Sequence, residues 1–365
     1  MPLPGMTTSR AFAHLGRSLR LGARLRWQPL LLQAACVALS ASAGLVQAQT
    51  QTQNPGASTP EAPLDARAWL MRTHEAASTR NYQGTLVFSN SASMSASRVA
   101  HFCEGNQQYE RVEAMDGEPR SLLRHNDTVH TVWPRAKVAV VEQRDARATF
   151  PALLSAGERR VLELYELRVL GVDRVAGRDA DVVLLKAKDN LRFSQRLWAD
   201  RQTGLLLRSD TVGTNGQTLE SAAFTELSIN VKPQPELVTG PLRKLDGYKV
   251  LRPQMAPSSL AAEGWQMGAV PAGFREMQCA KRSLDPAGQA GAPVVLQVIY
   301  SDGLTHVSLF IEPFSPQRHQ AEGTSVVGAT HTFSVRRDDV WLTALGDVPL
   351  ETLKRFVAAL EQRKR

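Results

Sequence analysis

Residues 121–143 have the sequence SLLRHNDTVHTVWPRAKVAVVEQ, which contains three short strands and two turns. The turns are His125-Asn126-Asp127 and Pro134-Arg135-Ala136-Lys137, and the segments around them are rich in Val and Thr. Residues of this kind favour strands, and links this short join neighbouring antiparallel strands. The stretch therefore predicts three consecutive antiparallel strands.

The same strand-and-turn pattern extends from Tyr82 to Val231, behind one amphipathic helix predicted over residues 64–79. Later strands are predicted at Tyr165–Val175, Asp181–Ala187, Phe193–Ala199, Leu205–Val212 and, after the hairpin signal Asn215-Gly216, Thr218–Val231. About nine to eleven antiparallel strands with short links curl rather than stay flat. We expect an open, unclosed β-barrel or half-shell with the helix against it, whose concave side could hold an apolar ligand.

Residues 232–258 contain five prolines and are predicted to connect this first domain (64–231) to a second one (259–365). The second domain is predicted to contain two hairpins, Val294–Tyr300 with Thr305–Glu312 and Thr330–Val335 with Trp341–Ala344. A helix after Pro349 closes the chain. The fold class is thus α+β and mainly antiparallel β, with a smaller sheet-and-helix domain after the open barrel.

The net charge of +8 is misleading, because all five charged residues of the segment 1–48 are arginines that precede an uncharged apolar run. This order is typical of a secretory signal peptide, with cleavage predicted after Ala48 and export from the cytoplasm. Without these arginines the net charge falls from +8 to +3, which argues against a nucleic-acid partner. Residues 49–63 are polar and Pro-rich, and they are predicted to be a disordered leader.

No catalytic motif occurs, and the chain is predicted to be a binding protein without a cofactor rather than an enzyme. His101 and Cys103 lie on one strand face, but no third ligand is within motif spacing, so no metal site is expected. Ser301, Asp302 and His306 are the residue types of a catalytic triad for acyl transfer. They fall within one hairpin, however, and Asp302-Gly303 is better explained as the turn of that hairpin. Whether Cys103 and Cys279 form a disulfide or remain thiols stays open.

The aromatic residues of the first domain are the best candidates for a binding site. Most large rings pack in cores, yet a curled shell has more concave apolar surface than one helix can cover. Trp133, Phe150 and Trp198 are therefore predicted to line a ligand pocket.

Several segments together resemble the RseB/MucB family of regulators. In the first domain these are Ala68–Leu70, Asn81–Phe88, Leu197–Asp200 and Thr203–Arg208. In the second domain they are Pro271–Phe274, Tyr300–Leu304, Phe310–Pro313 and Gly346–Pro349. Their order, behind a signal peptide and around a Pro-rich connector, extends the similarity over about residues 64–363.

This resemblance implies a periplasmic negative regulator of an envelope-stress sigma factor of the sigma-E type. Such regulators bind the periplasmic part of a one-span anti-sigma factor, RseA or MucA, and shield it from proteolysis. The family's larger domain is similar to the lipoprotein carriers LolA and LolB, which implies sensing of lipopolysaccharide or lipoprotein acyl chains. Tyr300, Leu304 and Phe310 are then candidate partner contacts. A periplasmic lipid or lipoprotein carrier is the alternative, and a homo-oligomer stays open.

Overall fold

The computed structural model describes residues 65–143, 158–283, 293–319 and 321–363. The predicted signal peptide, the predicted leader and Phe150 lie outside the described residues. No helix in the described ranges is long and apolar enough to cross a membrane. In the same ranges, no three His, Cys, Asp or Glu side chains are grouped as metal ligands would be.

One large sheet dominates the first domain. Its strands in the described chain are β1 (Tyr82–Asn90), β2 (Met94–Glu104), β3 (Gln107–Ala114), β4 (Ser121–His125), β5 (Thr128–Trp133), β6 (Val138–Gln143), β7 (Tyr165–Val175), β8 (Arg178–Ala187), β9 (Ser194–Asp200), β10 (Leu206–Val212), β11 (Thr218–Ile229) and β12 (Lys249–Leu251). They are ordered β12-β6-β5-β4-β3-β2-β1-β11-β10-β9-β8-β7. Neighbours are antiparallel except for the parallel pair β12 and β6. Since β12 and β7 form the two edges, the described sheet is open, which confirms the predicted unclosed antiparallel architecture.

Helices cover parts of both sides of this sheet. Helix α1 (Ala66–Thr79) begins after Asp65, whose side chain accepts hydrogen bonds from the first-turn N–H groups. Trp69 and Leu70 of α1 pack with Val161 of α2 (Glu158–Leu164) on strand residues that include Leu197. We call this side of the sheet the α1 face. Helix α3 (Glu236–Leu242) packs on the other side, where its Val238 joins a cluster with the strand residues Leu123, Val132 and Ala139.

Strands β1 and β11 approach each other too closely at Gly84 for any side chain. A Cβ atom there would lie 2.2 Å from the carbonyl oxygen of Glu226, beside an irregularity in the β1–β11 register. We expect Gly84→Ala to lower the free energy of unfolding by roughly 1–3 kcal/mol, as overpacking does. Gly240→Ala in α3 is the control, because the nearest atom to its Cβ would be 3.9 Å away. Equal urea midpoints for the two variants would contradict the prediction.

The predicted connector, residues 232–258, is more structured than its five prolines indicate. Helix α3 starts directly after Pro235, a position compatible with proline because no N–H is needed there. Farther on, β12 joins the large sheet, and β13 (Met255–Pro257) joins the sheet of the second domain. Pro257 is tolerated because β13 is an edge strand. The connector is therefore tied to both sheets.

The second domain contains a smaller antiparallel sheet under one helix. Its other described elements are β14 (Trp265–Met267), β15 (Arg275–Ser283), β16 (Val294–Ser301), β17 (His306–Pro313), β18 (Gly323–Val327), β19 (Thr330–Arg337), β20 (Val340–Gly346), α4 (Leu350–Ala359) and β21 (Leu360–Gln362). The main sheet has the order β13-β15-β16-β17-β20-β19-β18, and β14 pairs with β21. Leu353, Phe356 and Val357 of α4 are buried in its core. Both predicted hairpins and the closing helix are present.

Candidate ligand-binding face and domain junction

The α1 face carries a row of mainly apolar residues that crosses five strands. Val99 on β2 is buried in a cluster with Ala76 and Ala77 of α1, which fixes the side of the sheet. Residues directly opposite in an antiparallel pair project from the same side. In register, Val99 is followed across β3 to β6 by Val112, Leu122, Thr131 and Val140.

A second row lies beside the first on the same side. Leu86 is opposite Ser97, which is two residues from Val99, and Phe88 follows Leu86 at the same spacing. Trp133 follows Thr131 in the same way and is opposite Val138. We define the apolar face as Leu86, Phe88, Val112, Leu122, Trp133, Val138 and Val140, all of them half-buried. A contiguous, incompletely covered apolar patch of this kind is typical of a binding surface.

A row of polar residues, buried except for the half-buried Glu110, borders the apolar face. Tyr82, His101, Glu110 and Arg124 are opposite one another in succession. The Tyr82 and His101 rings stack with centroids 5.2 Å apart, and Arg124 Nη1 lies 3.4 Å from Glu110 Oε2. Burial, assisted by the Arg124 charge, lowers the pKa of His101 to about 4. Burial raises the pKa of Glu110, and Arg124 opposes this. His101 is therefore neutral at pH 7. The apolar face thus ends at a row of polar side chains that contact one another.

Both cysteines of the described residues are free thiols, so the disulfide left open by the sequence is not formed in this structure. Cys103 Sγ donates to the carbonyl oxygen of Ser78 at 3.0 Å, which holds the end of α1 on β2. Cys279 is buried in the core of the second domain. Burial raises the pKa of Cys103 and raises that of Cys279 to about 11, so both stay protonated at neutral pH.

The predicted pocket residues do not lie together. Trp133 is on the apolar face, whereas Trp198 is on the opposite side of the sheet, since its neighbour Leu197 packs under α1. Trp198 is buried, its Nε1 donates to Asp173 Oδ2 at 3.0 Å, and the Arg208 guanidinium lies 4.4 Å from its ring centroid. A ligand on the apolar face would not reach Trp198, because strand alternation turns the ring away. Phe150 is outside the described residues.

The two domains meet at a buried ion pair. Arg192, in the turn between β8 and β9, donates from Nη1 to Oδ2 of Asp302 at 2.7 Å, and both side chains are fully buried. The Tyr165 hydroxyl donates to the same oxygen at 2.9 Å. Asp189 binds Arg192 from the other side, with Nε to Oδ1 at 2.9 Å. Asp302 Oδ1 accepts backbone N–H groups of its own turn, so the network is well satisfied.

The candidate partner contacts are mostly used within the protein. Leu304 packs against the first-domain cluster under α1 and α2, so it belongs to the domain junction. Tyr300 is buried in the second-domain core, with its ring 5.1 Å from that of Phe356. Phe310 is half-buried on the side of its sheet away from α4, because Leu309 and Ile311 occupy the core. A partner could touch Phe310 directly, whereas it would reach Tyr300 only if the core opened.

Sequence reasoning missed the other apolar-face residues and Arg192. Alternation along each strand already placed Val138 and Val140 on one side, but the register that joins them to Val112 and Leu122 has no local signal. Arg192 lies in a turn, as many surface arginines do, and its partner Asp302 is 110 residues away.

A second junction contact involves a carboxyl group that titrates near neutrality. Glu220 Oε2 accepts the N–H of Ala329, in the turn between β18 and β19, at 3.2 Å. Burial and the nearby Asp347 carboxylate raise the pKa of Glu220 to about 7, while the Ala329 N–H and the Thr211 hydroxyl oppose the rise. In the folded protein Glu220 is therefore about half protonated at pH 7.

This raised pKa predicts a pH dependence of stability. Between about pH 4.5 and 7 the folded state holds a proton that the unfolded state has lost, so stability falls as the pH rises through this window. Glu220→Gln keeps an acceptor for Ala329 but does not titrate. We expect this variant to lose that decline and to be more stable than the unmodified chain at pH 8. Urea unfolding at pH 5, 6, 7 and 8 measures this, and parallel curves for the two proteins would contradict it.

Fold and site together define a two-domain binding protein, in which a large open antiparallel sheet with an apolar face is joined to a smaller domain through a buried ion pair. The chain belongs to the MucB/RseB family. Residues 65–242 match the MucB/RseB N-terminal domain, and residues 259–361 match the MucB/RseB C-terminal domain.

Characterised relatives cover most of the chain. Sigma factor AlgU regulatory protein MucB of Pseudomonas aeruginosa is 29% identical in an alignment of 314 positions, gaps included, that covers 81% of this chain and 90% of that protein. Sigma-E factor regulatory protein RseB of Haemophilus influenzae is 26% identical in an alignment of 306 positions that covers 82% of this chain and 92% of that protein. The solved P. aeruginosa MucA/MucB complex is similar to the described structure with a TM-score of 0.62 and 26% identity, covering 83% of this chain and 100% of that one.

Proposed function

We propose that the chain is a periplasmic negative regulator of a sigma-E-type envelope-stress response. It binds the periplasmic part of a membrane anti-sigma factor and shields that part from proteolysis. The observation that carries this proposal is the match of both domains to the MucB/RseB family, together with a relative of the same two-domain fold solved in complex with MucA(peri). Residues 1–48 are removed after Ala48 during export.

The apolar face supplies the sensing part of the proposal. An acyl chain lying across Val112, Leu122 and Trp133 would bury methylene groups at about 0.8 kcal/mol each. Such a ligand acts as a switch only if its affinity differs between the free and partner-bound forms, by about 1.4 kcal/mol for each factor of ten. The junction at Arg192 and Asp302 could transmit ligand binding on the apolar face to the partner-binding surface. It does so by holding the two domains in the arrangement that the partner binds.

Deletion of the gene tests the regulatory role. We expect transcription from a sigma-dependent envelope-stress promoter to rise in the deletion strain and to return to its original level with the full chain. A chain that starts at Gln49 behind an initiating Met is the matched control, and it should fail to restore repression because it is not exported. Unchanged transcription combined with defective lipoprotein sorting would contradict the proposal and favour the carrier function.

A further inference from the structure

A cavity of about 310 Å³ lies between the β8–β9 turn and the β10–β11 turn. Lys186, Ser194 and Arg196 line it, together with Asp189 and the turn glycines Gly213 and Gly216. Arg196 projects away from the α1 face, because the next residue, Leu197, packs under α1. The cavity is therefore separate from the apolar face.

Arg196 brings a charge without a bonded counter-ion to this cavity. Its Nε atom is buried and, within the described residues, has no hydrogen-bond partner. The carboxylate opposite it in register, Asp210, is occupied by Arg208, whose Nε and Nη2 each donate to it at 2.8 Å. Burying this N–H without an acceptor costs free energy. Because Nε itself is closed to solvent, a ligand in the cavity would bind Arg196 through the rest of its guanidinium, where an oxyanion would balance the charge.

Two further donors point to an oxyanion. Lys186 is exposed, and the carboxylate opposite it, Glu166, is held by Arg168 at 2.7 Å. Ser194 Oγ accepts the N–H of Ala187 at 3.1 Å, which leaves its hydroxyl hydrogen available to donate. Asp189, the one carboxylate among the described residues of the wall, is bound to Arg192 at two points. An arginine, a lysine and a hydroxyl around one small cavity suit a tetrahedral anion with several oxygens.

We propose that this cavity binds a phosphate-type oxyanion, held by Arg196, Lys186 and Ser194. The ligand is either free phosphate or the phosphate of a lipid headgroup. The proposal does not depend on the regulatory function, since it rests on the cavity alone. Because Asp189 both lines the cavity and binds Arg192, the anion would bind next to the ion pair that joins the domains.

Calorimetric titration of inorganic phosphate into residues 49–365, in low-salt chloride buffer at pH 7.5, tests the site. We expect saturable one-site binding that Arg196→Gln and Lys186→Gln each weaken at least tenfold. Arg98→Gln is the matched control, because this arginine on β2 is exposed and distant in the strand order. It should bind phosphate within twofold of the unmodified chain. Thermal unfolding of each variant checks that it is folded, and having two cavity variants keeps the test valid if one fails to fold.

Sedimentation with phosphatidylglycerol vesicles identifies the source of the phosphate. Vesicle binding that Arg196→Gln abolishes assigns the site to a lipid headgroup, whereas phosphate binding without vesicle binding assigns it to the free anion. The absence of saturable phosphate binding would overturn the proposal. So would cavity variants that bind like Arg98→Gln, or acetate that binds as tightly as phosphate.

Discussion

Asp302→Ala is expected to lower the free energy of unfolding by about 3–5 kcal/mol, the range measured when one partner of a buried ion pair is removed. Asp302 and Arg192 are both fully buried, with Nη1 and Oδ2 2.7 Å apart. Without Asp302, the Arg192 guanidinium stays buried with only Asp189 and the carbonyl of Ala272 as acceptors. The Tyr165 hydroxyl loses its acceptor as well. Urea denaturation of the unmodified chain and the variant measures the loss.

Two comparisons make this prediction specific to the buried pair. Arg355→Ala removes an exposed helical pair with Glu351, and it should cost less than about 0.5 kcal/mol. Replacing both partners with apolar residues, as in Arg192→Met with Asp302→Leu, should cost less than Asp302→Ala alone, because no unpaired charge remains buried. A loss for Asp302→Ala no larger than that for Arg355→Ala would contradict the assignment of this pair as the main polar contact between the domains.

Val140→Asp is expected to weaken the binding of a fluorescent fatty acid at least tenfold, or by about 1.4 kcal/mol. Val140 is half-buried on the apolar face, opposite Thr131 and two residues from Val138. An acyl chain that covers this carboxylate must strip its water, which costs free energy. The negative charge also repels the carboxylate of the probe. Titration of the probe into residues 49–365 measures its affinity.

The adjacent residue offers a matched control. Val141 is also a half-buried valine of β6, but strand alternation puts its side chain on the opposite side of the sheet. Val141→Asp therefore introduces the same charge into the same strand without entering the apolar face, and we expect it to bind the probe like the unmodified chain. Equal losses for the two variants, with equal thermal midpoints, would exclude the apolar face as the acyl site.

Local patterns predicted the elements of this fold well. The turn at Asn126 has the positive φ, 52°, that Asn tolerates in a tight hairpin, and the strands on either side of it are β4 and β5. Helix α1 was predicted over residues 64–79 and is described over Ala66–Thr79. Periodicity and turn chemistry act over a few residues, which is why these predictions need no knowledge of the tertiary structure.

Long-range pairing could not be predicted in the same way. Strand β1 lies between β2 and β11. Leu86 of β1 is therefore opposite Phe224 of β11, which is far along the chain. The apolar face depends on the register of six strands, β1 to β6. Trp133 and Trp198 look equivalent in the sequence, yet they lie on opposite sides of the sheet. The Arg192–Asp302 pair likewise exists only after the two domains have docked.

Direct binding to the anti-sigma factor tests the central claim most directly. The mature chain, residues 49–365, is titrated with the purified periplasmic segment of the membrane anti-sigma factor from the same organism, and the complex is then exposed to the protease that cleaves the segment. We expect a stoichiometric complex in which cleavage of the segment is slowed. No complex, or a complex in which the segment is cleaved as fast as when it is free, would contradict the proposed regulatory function.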